Sequence, residues 1–181
     1  DPKHQIRLDS ITGTIPWSRT KPQKGALHVA SGAWGRIALE GFTIPLEIKP
    51  ENFAVKKAVV PLLGSKALIE RLVWRKSKKR KTWEGDLSLS IEPIQLEKLT
   101  QALEWPTMQG TISGSFPHFR YREKSAFLDG ALDIQVFEGK VTATHLRIDG
   151  IFGAVPRLTA DLAGRQINLG QMTEAFSFGS I

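Results

Sequence analysis

The side chains best suited to acid–base work or metal ligation are the four histidines, His4, His28, His118 and His145. They stand singly among strand-like and loop-like segments, with no HxxxH or comparable ligand spacing. Asp129 and Asp133 are four apart, so in a strand they share one polar face, a spacing that suggests the paired carboxylates of a hydrolase. Solvated charges on a sheet face give the same spacing and are far commoner. No serine sits in a nucleophile elbow, and no Ser/His/Asp set has a context that would assemble it. Gly110-Thr-Ile-Ser-Gly114 spells GxxxG, but inside an alternating pattern rather than an apolar helix. The chain has no cysteine and no phosphate-cradling glycine loop. The reading is therefore a non-enzymatic protein with no catalytic residues, no cofactor and no metal.

One charged constellation stands out. Trp74 and Trp83 frame the run Arg75-Lys76-Ser77-Lys78-Lys79-Arg80-Lys81. Cations beside indoles suit an anionic bilayer surface, and they also suit a nucleic acid backbone with stacked bases; a plain solvated hairpin tip has the same composition. The candidate anionic-surface contacts are Trp74, Arg75, Lys76, Lys78, Lys79, Arg80, Lys81 and Trp83. A nucleic-acid partner is the least favoured of the three, and it predicts strongly salt-dependent binding that Lys78, Lys79 and Arg80 to alanine would abolish. The net charge of +7 is unevenly placed: residues 1–81 hold 17 Lys and Arg against 6 Asp and Glu, whereas residues 82–181 hold 8 against 12.

The elements that must carry these groups are mostly strands. Phe127 to Val136 is the clearest, with Leu128, Leu132, Ile134 and Val136 on one phase and Asp129, Asp133 and Gln135 on the other. A Glu138-Gly139 pair marks a tight hairpin, and Val141 to Ile148 returns. Val141 and Ala143 are out of phase with Leu146 and Ile148, which predicts a bulge near Thr144-His145. Residues 1–25 read as an irregular lead-in with a short candidate strand at Ile6–Leu8. Further strands are expected at 27–29, 37–39, 44–48, 54–63, 67–74, 83–91, 112–116, 119–121 and 158–162, with Pro45 implying an edge or polar-facing position. Two amphipathic helices are expected, Pro93–Glu104, stopped by Trp105-Pro106, and Leu169–Phe176, with Asn168 and Gln171 as a capping-box variant.

The two helices align at a constant offset: Ile94 to Leu103 lies over Ile167 to Phe176, with isoleucine, leucine, threonine and alanine recurring at matched places. Each follows an alternating strand, which indicates a strand–helix module at about 82–114 and again at 156–181. The second copy is unfinished and the chain opens on Asp1 rather than methionine, so a fragment of a longer protein is expected. Its domain plan is the lead-in followed by one curved antiparallel β domain over 26–181.

Several motifs, in order, carry a resemblance. They are Glu104-Trp105-Pro106 before Gly110-Thr-Ile-Ser-Gly; Leu128-Asp129-Gly130; Val136-Phe137-Glu138-Gly139-Lys140-Val141; Phe152-Gly153-Ala154-Val155-Pro156-Arg157-Leu158-Thr159-Ala160-Asp161; and Leu169-x-x-Met172-Thr173-x-x-Phe176-Ser177-Phe178-Gly179. From about Val60 to Ile181 the chain resembles the C-terminal part of AsmA-like proteins, in particular the YdbH-like branch. The resemblance implies a periplasmic segment of a Gram-negative cell-envelope protein anchored to the inner membrane outside this chain. It also implies a mainly β, half-barrel or taco-like curved sheet, whose apolar groove shields phospholipid tails during intermembrane lipid transport. The residues are consistent with this, because two short helices are too little cover for so many strands with one apolar face. The candidate lipid-groove lining is Leu87, Leu89, Ile91, Leu128, Leu132, Ile134, Val136, Leu158 and Leu162. A structural or assembly module of an envelope protein, with the same residues in a closed core, is the alternative.

Overall fold

The computed structural model describes residues 6–16, 18, 20–77, 82–150 and 157–176. In chain order they form β1 (Ile6–Thr14), β2 (Gln23–Trp34), β3 (Ile37–Leu39), β4 (Phe42–Lys49), β5 (Asn52–Leu62), β6 (Ser65–Lys76), β7 (Trp83–Gln95), α1 (Leu96–Leu103), β8 (Gly110–Arg122), β9 (Ser125–Val136), β10 (Gly139–Asp149), β11 (Arg157–Arg165) and α2 (Leu169–Ala175). The protein is mainly β: all 11 strands join one antiparallel sheet, essentially a meander, in which β3 and β4 share the place between β2 and β5. The sheet is curved and open, with β1 and β11 at its two edges rather than paired to each other.

Curvature follows from irregularities that line up across the strands. Ser10, Lys57 and His145 take positive φ near 50°, and the pairing register shifts beside Glu70, at Pro117 and between Thr144 and Leu146. An extra or left-handed residue bends a strand and increases its twist, so a band of them folds the whole sheet about one line. Side chains crowd on the inside of such a bend. Accordingly Val29, Val55, Ala58, Phe116, Leu128, Ala143 and Leu146, all beside the band, are no more than 8% exposed. Phe116, Ala126, Leu128, Ala143 and Leu146 form one buried cluster, with Leu89, Ile91, Phe119, Leu132, Ile148 and Ala160 packed on it. The bulge expected at Thr144-His145 is present, and it returns Leu146 and Ile148 to the face of Val141 and Ala143.

Several expectations need correction. The lead-in contains a nine-residue strand: β1 pairs with β2 from Ile6 to Thr14. Its polar residues hid it, because an edge strand buries little of either face. Pro93 lies in β7, not in a first helical turn, and α1 begins at Leu96. Pairing with β8 through Ile94 and Gln95 outweighs the helix-start signal of the proline. The pieces 112–116 and 119–121 are one strand, β8, broken in register at Pro117. In the β9–β10 hairpin it is Phe137 and Glu138, not Gly139, that take positive φ, at 52° and 60°. Gly139 is needed for close approach instead, since a Cβ there would lie 2.5 Å from the Arg165 carbonyl oxygen. Pro45 lies in the part of β4 that pairs with β2 alone, consistent with its missing N–H.

Candidate functional site

Because directly paired residues of an antiparallel sheet point to the same side, the register places every candidate groove residue on one face. One row runs Val55, Leu72, Leu87, Phe119, Leu128, Leu146. A second runs Val60, Ala67, Ile91, Gly114, Leu132, Ala143, Leu162, and a third Ile94, Ile112, Ile134, Val141. Leu89 pairs with Phe116, Val136 ends β9, and Leu158 pairs with Ile148. Leu128 and Val136 are buried; Leu87, Leu89, Ile91, Leu132 and Ile134 are only half-buried, and among the described residues no other sheet lies over them. Leu158 and Leu162, on the edge strand, are 64% and 71% exposed. These rows make the face apolar, most buried at the bend and most exposed on β11.

The opposite face is polar and cross-linked by charge. Glu47 takes Lys49 and Lys56; Asp86 takes Arg75 and Arg122; Arg122 also pairs with Glu84; Arg120 pairs with Asp129. Asp133 accepts from Thr142 Oγ1 at 2.8 Å and from Lys140 Nζ at 3.1 Å, and these bonds hold its carboxyl below the usual range. Asp149, accepting from Ser125 Oγ at 2.6 Å and from Arg147, is lowered for the same reason, as is Glu47 by its two lysines. Asp129 and Asp133 thus have separate partners and do not form a facing carboxylate pair. His28 and His145 meet Thr43 and Asp161, His118 is exposed, and His4 lies outside the described residues. Among the described residues no three His, Asp or Glu side chains gather to hold a metal ion, and no helix is long and apolar enough to cross a membrane.

The strand ends make two rims. At one end the β6–β7 hairpin, with Lys76 opposite Trp83 and Ser77 N donating to Thr82 O at 2.8 Å, carries the basic run; Lys78, Lys79, Arg80 and Lys81 lie outside the described residues. Arg75 faces the polar side, held by Glu84 and Asp86. Trp74 and Lys76 face the apolar side. Trp74 stacks between Phe53 and Tyr121, with ring centroids 6.5 and 5.0 Å away, and reaches Tyr121 across Gly85. Only glycine permits this crossing, since a Cβ at Gly85 would lie 2.4 Å from the indole. Trp74, Thr82, Trp83, Tyr121, Glu123 and Lys124 line an open recess of about 600 Å³.

The helices sit at the other rim. α1 packs Leu96, 4% exposed, beside β7 and β8, and Thr100, 1% exposed, donates to Leu96 O at 2.8 Å. Glu104 closes the helix in a left-handed conformation and pairs with Arg36. In α2 the matched Thr173 is also buried and donates to Gly170 O. Asn168 Oδ1 caps the helix by accepting from Gln171 N, but the Gln171 side chain donates to Glu138 rather than completing a capping box. Sequence reasoning missed Phe53, Tyr121, Gly85 and Lys124, whose adjacency depends on register; the only signal was that each lies on an alternating strand or beside its turn.

Comparisons with protein-family models, with curated proteins and with solved structures gave no match to this chain.

Proposed function

We propose that this protein is a non-enzymatic segment of an AsmA-like, YdbH-like periplasmic protein, whose apolar trough shields phospholipid tails on their way between inner and outer membranes. The observation that carries the reading is the row of half-buried Leu87, Leu89, Ile91, Leu132 and Ile134 on a face that no second sheet covers among the described residues. A continuous apolar surface of this extent costs free energy in water unless something apolar covers it, and a lipid chain is the simplest cover. A photoreactive residue at Leu132 or Ile134 is expected to capture phospholipid in cells, and one at Asp133 or Gln135 is not. Capture only from the outward positions, or none at all, sinks the reading. The buried cluster around Phe116 favours one alternative, a structural or assembly module with a closed core, and that module leaves all four positions silent.

A further inference from the structure

We propose that the rim formed by Trp74, Trp83 and Tyr121 seats the head group of an anionic phospholipid whose chains lie along the apolar face. This rests on the lipid-shielding reading and adds an orientation and a lipid class to it. Indole and phenol rings favour the boundary between hydrocarbon and water, because each joins a large apolar surface to one polar handle. Here three such rings stand at the end of the apolar rows, around the recess of about 600 Å³. Two cations flank them on the same side: Lys76, opposite Trp83, and Lys124, in the recess wall. Neither is ion-paired with a carboxylate among the described residues. Glu123 is the one acid in the lining, while Glu84 and Asp86 are turned to the other face by Arg75 and Arg122.

Inward from this rim the rows become wholly apolar. Gly85 to Ile91 is six residues of strand, roughly 20 Å, against about 15 Å for the hydrocarbon of one leaflet. One acyl chain therefore fits between the aromatic rim and the row of Ile91 and Leu132. At the helical rim Arg36 is taken by Glu104 and Lys66 by Glu92. Head groups are expected at the aromatic end, held by ammonium-to-phosphate bonds whose strength falls with salt.

The test uses the full chain with vesicles of phosphatidylcholine, alone or mixed with phosphatidylglycerol, brominated either beside the head group or near the chain end. Tryptophan quenching is read in the protein and in Trp83→Phe. Phosphatidylglycerol is expected to bind about tenfold more tightly, since each lysine near an anionic surface adds to the attraction. Head-proximal bromine should quench more strongly. Lys76→Glu with Lys124→Glu, both exposed and without a role in the core, should erase the preference while leaving the circular dichroism unchanged. Equal affinity for the two lipids, a preference that survives the double substitution, or stronger quenching from the chain end overturns the proposal. Lipid capture at Leu132 separates the two failures. Capture without any anionic preference leaves the trough standing and ends only the rim assignment. Binding to anionic vesicles without capture at Leu132 ends both and identifies the rim as a bilayer-surface contact.

Discussion

The two rims of the sheet hold their strands by different means. At the aromatic rim, side chains do it: Phe53, Trp74 and Tyr121 stack from β5 to β8, across a glycine that leaves room for the indole. At the helical rim, inserted chain does it. α1 fills the space beside β7 and β8 with Leu96, and α2 ties back to the β9–β10 turn through Asn168 N to Phe137 O at 2.9 Å and through Glu138. The difference separates roles: the helical rim ties its helices back to the strand ends, whereas the aromatic rim presents half-exposed rings and lysines outward.

The helical rim is disrupted most directly at Leu96. Leu96→Ala removes the buried anchor of α1 and should cost about 2–5 kcal/mol, read as a lower denaturant midpoint. The tryptophan environment at the far rim should survive in the folded fraction, and its loss would mean that the rims are not separable. Gly85→Ala strikes the other rim. The added methyl displaces Trp74 and should cost about 1–3 kcal/mol, with a changed near-ultraviolet dichroism and α1 intact. An unperturbed tryptophan signal would show that the ladder tolerates the crossing.

The smallest effect is on the outer face, which belongs to neither rim. Glu47, Asp133 and Asp149 have folded-state pKa values held below their unfolded ones, so the stability they confer is present above about pH 4 and is lost as pH falls through the folded values. Asp149→Asn should flatten the acid limb of a stability–pH profile, by removing the carboxylate that accepts from Ser125 and Arg147. An unchanged limb would assign acid sensitivity to other groups.

Much of the sheet was legible in the sequence. Alternation in Leu87–Ile91 and Leu128–Val136 named the apolar face correctly, because a two-residue period is a local property of a strand. The phase break at Thr144-His145 named the bulge for the same reason. The two helices were legible too: α1 and α2 begin at Leu96 and Leu169, each with a buried threonine bonding back to its own first turn. β1 was not, since its partner supplies what its composition does not advertise. Nor was the turn at Phe137-Glu138, where the strand twist imposes left-handed backbone on two ordinary residues.

By itself, then, the sequence determined the antiparallel class, the polarity of each face, the two helices and the absence of any familiar catalytic motif. These follow from periodicities of two and of three to four residues, which neighbours in the chain set among themselves. Tertiary structure alone decided which residues stand side by side: Phe53 with Trp74 and Tyr121, Arg75 with Glu84 and Asp86, and the bulges aligned into a bend. Those outcomes depend on the register between strands, and register is settled only when both faces and every turn are satisfied together.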